Sequence, residues 1–148
     1  MIQASSKTAV VIDTMAVSAL INPDRWSAEA GEFRDLIGGR VTLVSFVTVT
    51  ELRYGASKGG WGELRRRALE RGLDRFTIVQ PDDEMMLVCA ALRVRCERDG
   101  HGLGQKIHEA DRWIAATALR LRIPLVSDDN IFVGVDGLLV ESRGETPH

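Results

Sequence analysis

With 148 residues, 45% of them hydrophobic and 27% charged, the chain is sized for one domain, spanning residues 1–148, around one sizeable core. Its formal net charge of −2 excludes attraction of a polyanion by the molecule as a whole, so nucleic-acid binding would need a local basic patch or bound cations. No apolar run approaches the ~18 residues of a membrane span. The start, MIQASSKTAVVID, lacks the basic stretch and long apolar core of a secretion signal, so the expected location is the cytoplasm.

Strand and helix patterns alternate along the chain. AVVI (9–12) reads as a short buried strand stopped by Asp13, and MAVSALI (15–21) as a helix ended by Asn22-Pro23. Residues 27–38 carry Ala28, Phe33, Leu36 and Ile37 at helical spacing before Gly38-Gly39. VTLV (41–44) is the second strand. VTVTELRYGA (47–56) has the β-branched content of a strand, but Val47, Leu52 and the stop at Gly55 suit a helix, and a helix is expected. A basic amphipathic helix (61–73), a strand FTIV (76–79) and a long helix (82–100) with an acidic start and basic end follow. Cys89 and Cys96 lie within that helix, about 10 Å apart along its axis and too far to bridge; they are expected as buried free thiols. A helix (108–122), a strand PLVS (124–127) and a possible fifth strand LLVE (138–141) complete the pattern. Such alternation implies an α/β fold with a central parallel sheet of four or five strands covered on both faces.

Asp13 follows the first strand, Glu51 lies early in the helix after the second, Asp111 opens the helix before the fourth, and Asp128-Asp129 follow the fourth directly. Ligands of open parallel sheets gather at the carboxyl ends of the strands, so these acids can share one edge. Each also has a purely structural reading. Asp13 suits a helix cap, Thr48-Val49-Thr50-Glu51 a capping box, Asp111 a first helical turn, and Asp128-Asp129 a turn. Jointly, four unrelated caps facing one crevice are the weaker explanation. Crowded carboxylates raise one another's pKa unless a cation intervenes, and several acidic oxygen ligands suit Mg²⁺ or Mn²⁺. Such ions assist phosphodiester hydrolysis.

VVIDT, then VTVTELRYGA, then HEADRWIAATALRLRIPLVSDDNIF together resemble the PIN-domain family, and within it the VapC-type toxins of bacterial toxin–antitoxin pairs. The likeness runs over nearly the whole chain. It implies a PIN-like three-layer α/β/α fold and a small Mg²⁺-dependent endoribonuclease (Mn²⁺ a possible substitute), usually homodimeric, that cuts RNA and is neutralised by a cognate antitoxin. By position, the family's catalytic, metal-holding acids fall on Asp13, Glu51, Asp111 and Asp129. Thr14 and Thr48 match supporting hydroxyls. Which of Asp128 and Asp129 faces the site stays open in the sequence; Asp129 is expected to, with Asp128 as a supporting acid beside it. Two positions depart from the pattern: Met15 stands where relatives carry Asn or Ser, and Ile131 where many carry a further acid.

Lys106 and Arg112 lie nearest the acids and are the candidates for touching substrate phosphates. Arg65-Arg66-Arg67, with Arg71 and Arg75, form the strongest basic patch; it reads as a solvated helix face paired with Glu63 and Glu70, with an RNA backbone as the other reading. GHGLGQ (100–105) lacks the phosphate-loop pattern and is expected to be a flexible loop. His108, three before Asp111, reads as a surface histidine. Trp26, Trp61 and Trp113 read as core or interface residues. Two functions of other classes stay open: a PIN-like module that binds RNA or protein with little or no catalysis, and a phosphatase or nucleotide-binding α/β protein.

Overall fold

The computed structural model describes residues 8–144. The leader reading for the start of the chain and the last residues of the expected single domain fall partly outside the described residues. Five strands, β1 (Ala9–Ile12), β2 (Val41–Ser45), β3 (Thr77–Val79), β4 (Leu125–Val126) and β5 (Val140–Glu141), form one sheet in the order β3-β2-β1-β4-β5. Every pairing is parallel. Six helices cover it: α1 (Thr14–Ile21), α2 (Ser27–Ile37), α3 (Phe46–Lys58), α4 (Glu63–Leu73), α5 (Asp83–Asp99) and α6 (Glu109–Leu121).

β1 is a continuous run of apolar residues because both its faces are covered. Alternate side chains point to opposite faces of a strand. Val10 and Ile12 accordingly join the core with Val17, Phe33 and Leu73, while Ala9 and Val11 join the core with Leu92, Ile114 and Phe132. Cys89 and Cys96 are buried and unbridged, as expected. Trp26 and Trp61 pack against the first core, and Trp113 meets the Phe46 ring edge-on with centroids 5.3 Å apart.

The ambiguous segment is helical. Ser45 caps α3, its Oγ accepting from the Val47 N–H at 3.3 Å. Thr48 and Val49 are buried, and packing overrides the modest helix penalty of four successive β-branched residues. This start places Glu51 in the second turn, so the capping-box explanation for it is ruled out. The strands β4 and β5 are shorter than expected, because the chain leaves each ladder after two paired residues.

The segment 100–105 is not the flexible loop expected. Gly100 ends α5 in the left-handed region (φ 70°), which glycine adopts without strain. Gly102–Gly104 then form a 3-10 turn with Leu103 fully buried. A Cβ on Gly104 would lie 2.6 Å from the Glu97 backbone nitrogen, so only glycine permits this approach. No helix among the described residues is long and apolar enough to cross a membrane.

Candidate metal centre

The chain builds β2 and β3 to one side of β1, then returns to lay β4 and β5 on the other. The strand order therefore reverses between β1 and β4, where open α/β sheets bind ligands at the strands' carboxyl ends. A cavity of about 370 Å³ lies there, lined by Asp13, Thr14, Met15, Glu51, Asp111, Ile114, Asp128 and Asp129. All the acids singled out in the sequence thus meet in one cleft.

Asp13 is 6% exposed and serves two structures at once. Its Oδ1 accepts from the Ala16 N–H at 2.9 Å, capping α1, and its Oδ2 accepts a short hydrogen bond from the Ser127 hydroxyl. The cap reading was correct, and it does not displace the cleft reading. Burial pushes the Asp13 carboxyl up from its ordinary value, against these two bonds, and the Asp129 and Asp128 charges push the same way.

Glu51 stands at the cleft mouth. Thr14 Oγ1 donates to Glu51 Oε1 at 3.2 Å and lies 3.0 Å from Thr48 Oγ1. With the Thr14 proton committed to the carboxylate, Thr48 is the donor to Thr14. The two threonines thus form a relay, anchored by the fully buried Thr48, that aims Glu51. Burial raises the Glu51 carboxyl; Thr14 opposes this, and Asp111 and Asp13 add to it. Asp111, in the first turn of α6, accepts at Oδ2 from His108 Nδ1 at 3.0 Å.

The adjacent acids after β4 diverge. Asp128 binds Arg143 through both oxygens: the Arg143 N–H to Oδ1 at 2.9 Å and Nε to Oδ2 at 2.6 Å. Asp129 is exposed, its Oδ1 accepting only from the Ile131 N–H at 3.0 Å. Ile131 itself packs into the core, so the position where relatives carry an acid here supplies a backbone donor instead.

Ser127 was not singled out in the sequence. It is 1% exposed, donates to Asp13 and accepts from the Asp129 N–H at 3.0 Å, linking the carboxyl ends of β1 and β4. Its only sequence signal is its place at the head of SDD. Arg112 needs a correction. It is 3% exposed, and its Nη1 donates to the Leu103 carbonyl at 2.6 Å and the Gln105 carbonyl at 3.2 Å. It braces the turn before α6 from inside and does not line the cleft. Lys106 is exposed on that turn but does not line the cleft. On α4, Arg67 pairs with Glu63 at 2.5 Å as expected, whereas Glu70 pairs with Arg53 of α3 at 2.6 Å.

The donor set is all oxygen and mostly acidic, which fits a hard divalent cation. Among the described residues, no group of three or more acids, histidines or cysteines converges as a metal-binding set. The cleft, lined by five carboxylates, suits an ion that keeps several of its waters, as Mg²⁺ commonly does. The raised Asp13 and Glu51 carboxyls reflect burial first and the neighbouring carboxylates second.

The PIN domain family model matches residues 10–138. The chain is 30% identical over 116 residues to Ribonuclease VapC5 of Mycobacterium tuberculosis, covering 75% of this chain and 82% of that protein. It is similar in structure to VapBC2 from Rickettsia felis, bound to a DNA fragment from their promoter (TM-score 0.76, 22% identity, 92% and 99% of the two chains). It is also similar to VapBC-5 from Mycobacterium tuberculosis, a member of the VapBC family of toxin-antitoxin systems (TM-score 0.63, 25% identity, 92% and 98% covered). The parallel sheet, the acids at its switch point and the match over residues 10–138 lead to one conclusion: the chain belongs to the PIN domain family.

Proposed function

We propose that this chain is a VapC-type, Mg²⁺-dependent endoribonuclease, the toxin of a toxin–antitoxin pair. The observation that carries the reading is the convergence of Asp13, Glu51, Asp111 and Asp129 on one cleft, in a chain 30% identical to a named ribonuclease. Asp13 and Asp129 on the strand side and Glu51 and Asp111 on the helix side would hold the cation, with Mn²⁺ a substitute. When bound, that ion supplies positive charge to a phosphoryl oxygen and lowers the pKa of a water. The chain's own residues do the rest. Ser127 fixes the distance between the β1 and β4 ends, the Thr48–Thr14 relay orients Glu51, and His108 holds Asp111. Arg112, by bracing the turn before α6, sets where that helix begins.

A second cavity of about 390 Å³, lined by Ile21, Trp26, Leu52, Trp61, Leu69 and others, also reaches Glu51. We assign this apolar groove to a cognate antitoxin, whose basic side chain could approach Glu51 along it. The similar solved structures are VapBC pairs, which supports the assignment. A homodimer and a cytoplasmic location belong to the same reading, the latter supported by two buried free thiols. Light scattering on the purified chain tests the dimer.

The test of activity is cleavage of total cellular RNA in Mg²⁺ and in EDTA. Discrete fragments in Mg²⁺ alone are expected. Met15 on the cleft wall and Ile131 against the core, the two departures from the family pattern, favour one other reading, a PIN-like module that binds RNA or protein with little or no catalysis. A folded protein that binds RNA equally in EDTA and cuts nothing would establish it.

A further inference from the structure

Arg143, just beyond β5, turns its guanidinium inward against Asp128, Glu32 and Phe33. Its backbone N–H and Nε occupy the two oxygens of Asp128, Nη1 lies 3.6 Å from Glu32 of α2, and the guanidinium carbon sits 4.6 Å over the Phe33 ring. Its side chain is 18% exposed. A two-point grip with one bond at 2.6 Å fixes a carboxylate in direction as well as in charge. Asp128 lines the acidic cleft and is the immediate neighbour of Asp129. Among the described residues, both hydrogen bonds of Asp128 are to Arg143; truncating the side chain removes the charged Nε bond and leaves the backbone N–H bond.

We propose that Arg143 is a positioning residue that holds and neutralises Asp128 at the cleft rim, leaving Asp129 as the acid that β4 delivers. The inference rests on the metal-dependent reading above. It explains how two consecutive acids on one turn acquire different jobs, and why an already crowded group of carboxylates does not carry one more free charge. Asp128 without the guanidinium would present an unneutralised anionic oxygen near the cation and repel the phosphates of a substrate. The two effects have opposite signs, which separates them from simple loosening of the fold.

The test compares wild type, Arg143→Ala, Asp128→Asn and the double variant, with thermal melting to select conditions in which all are folded. Mn²⁺ affinity is read by calorimetry, and KM and kcat by RNA cleavage. Arg143→Ala is expected to bind Mn²⁺ about threefold to tenfold more tightly, and to raise KM by a similar factor with kcat less affected. The double variant returns both to within about twofold of wild type, because it restores the balance of charge. If Arg143→Ala binds Mn²⁺ no more tightly, or the double variant stays altered, the positioning role is overturned. The Mn²⁺ pattern in a protein that cuts no RNA would support the role of Arg143 and overturn the ribonuclease reading alone.

Discussion

On the strand side of the cleft, Asp13 is buried with a donor on each oxygen, and Ser127 ties it to the turn that carries Asp129. On the helix side, Glu51 and Asp111 stand nearer solvent than Asp13, each with one side-chain partner, Thr14 or His108. Acids of similar chemistry are thus held in two ways. Asp13 is part of the framework, so its position is inherited from the sheet, and Ser127 carries that position to the backbone of Asp129. The helix-borne pair is aimed by side chains and can adjust to a ligand. The difference teaches that a cap and a ligand are not alternatives for one carboxylate, since its several lone pairs allow both.

The comparison breaks most visibly at Asp13. Asp13→Asn keeps an acceptor for Ala16 but removes the charge, so RNA cleavage should fall on the order of 10³-fold while the fold survives. In EDTA at neutral pH its melting temperature should rise above wild type, because the buried charge is gone. Next is Ser127→Ala, which strips a donor from Asp13 and an acceptor from the Asp129 N–H. A loss of about 10- to 100-fold in cleavage and about 1–2 kcal/mol of stability is expected from kinetics and urea unfolding. Thr48→Val removes the base of the Glu51 relay at nearly constant volume. About tenfold in cleavage, recovered in part at higher Mg²⁺, would mark the helix side as the adjustable one; an effect as large as that of Ser127→Ala would erase the distinction.

The smallest effect is one of pH. The folded Glu51 carboxyl is raised above its ordinary value, mainly by burial. Between the unfolded and folded pKa values the folded state binds the extra proton, so wild-type stability falls as pH rises through that window. Glu51→Gln removes this slope. In EDTA it should be the more stable protein at neutral pH, and the gap should close as pH drops below the ordinary glutamate value. Unfolding midpoints measured across that range check the sign.

The strands, the helices and the common edge of the acids were legible because they rest on local pattern: a β-branched run, helical spacing, Gly and Pro stops. The helical fate of 47–56 was only half legible, since its propensity and its burial disagree and tertiary packing decided. The turn 100–105 looked flexible because close backbone packing leaves no mark in the sequence beyond the glycine it requires. Arg112 looked like a phosphate contact from its position beside Asp111, but one step along a helix turns a side chain by about 100°, here from the cleft into the core. Ser127 and Arg143 were invisible for another reason. Ser127 acts on a partner 114 positions away, and the choice between Asp128 and Asp129 depends on a residue beyond the last strand.

β1 lies at the centre of the sheet, fully or almost fully buried and paired on both sides, whereas β5 is a two-residue edge strand. Backbone amides at the centre of such a sheet exchange with solvent only when the whole molecule opens, while edge segments open by themselves at far lower free energy. Asp13 is therefore lost only with the fold. The grip on Asp128, anchored beyond β5, can be released and remade many times within the lifetime of a native molecule.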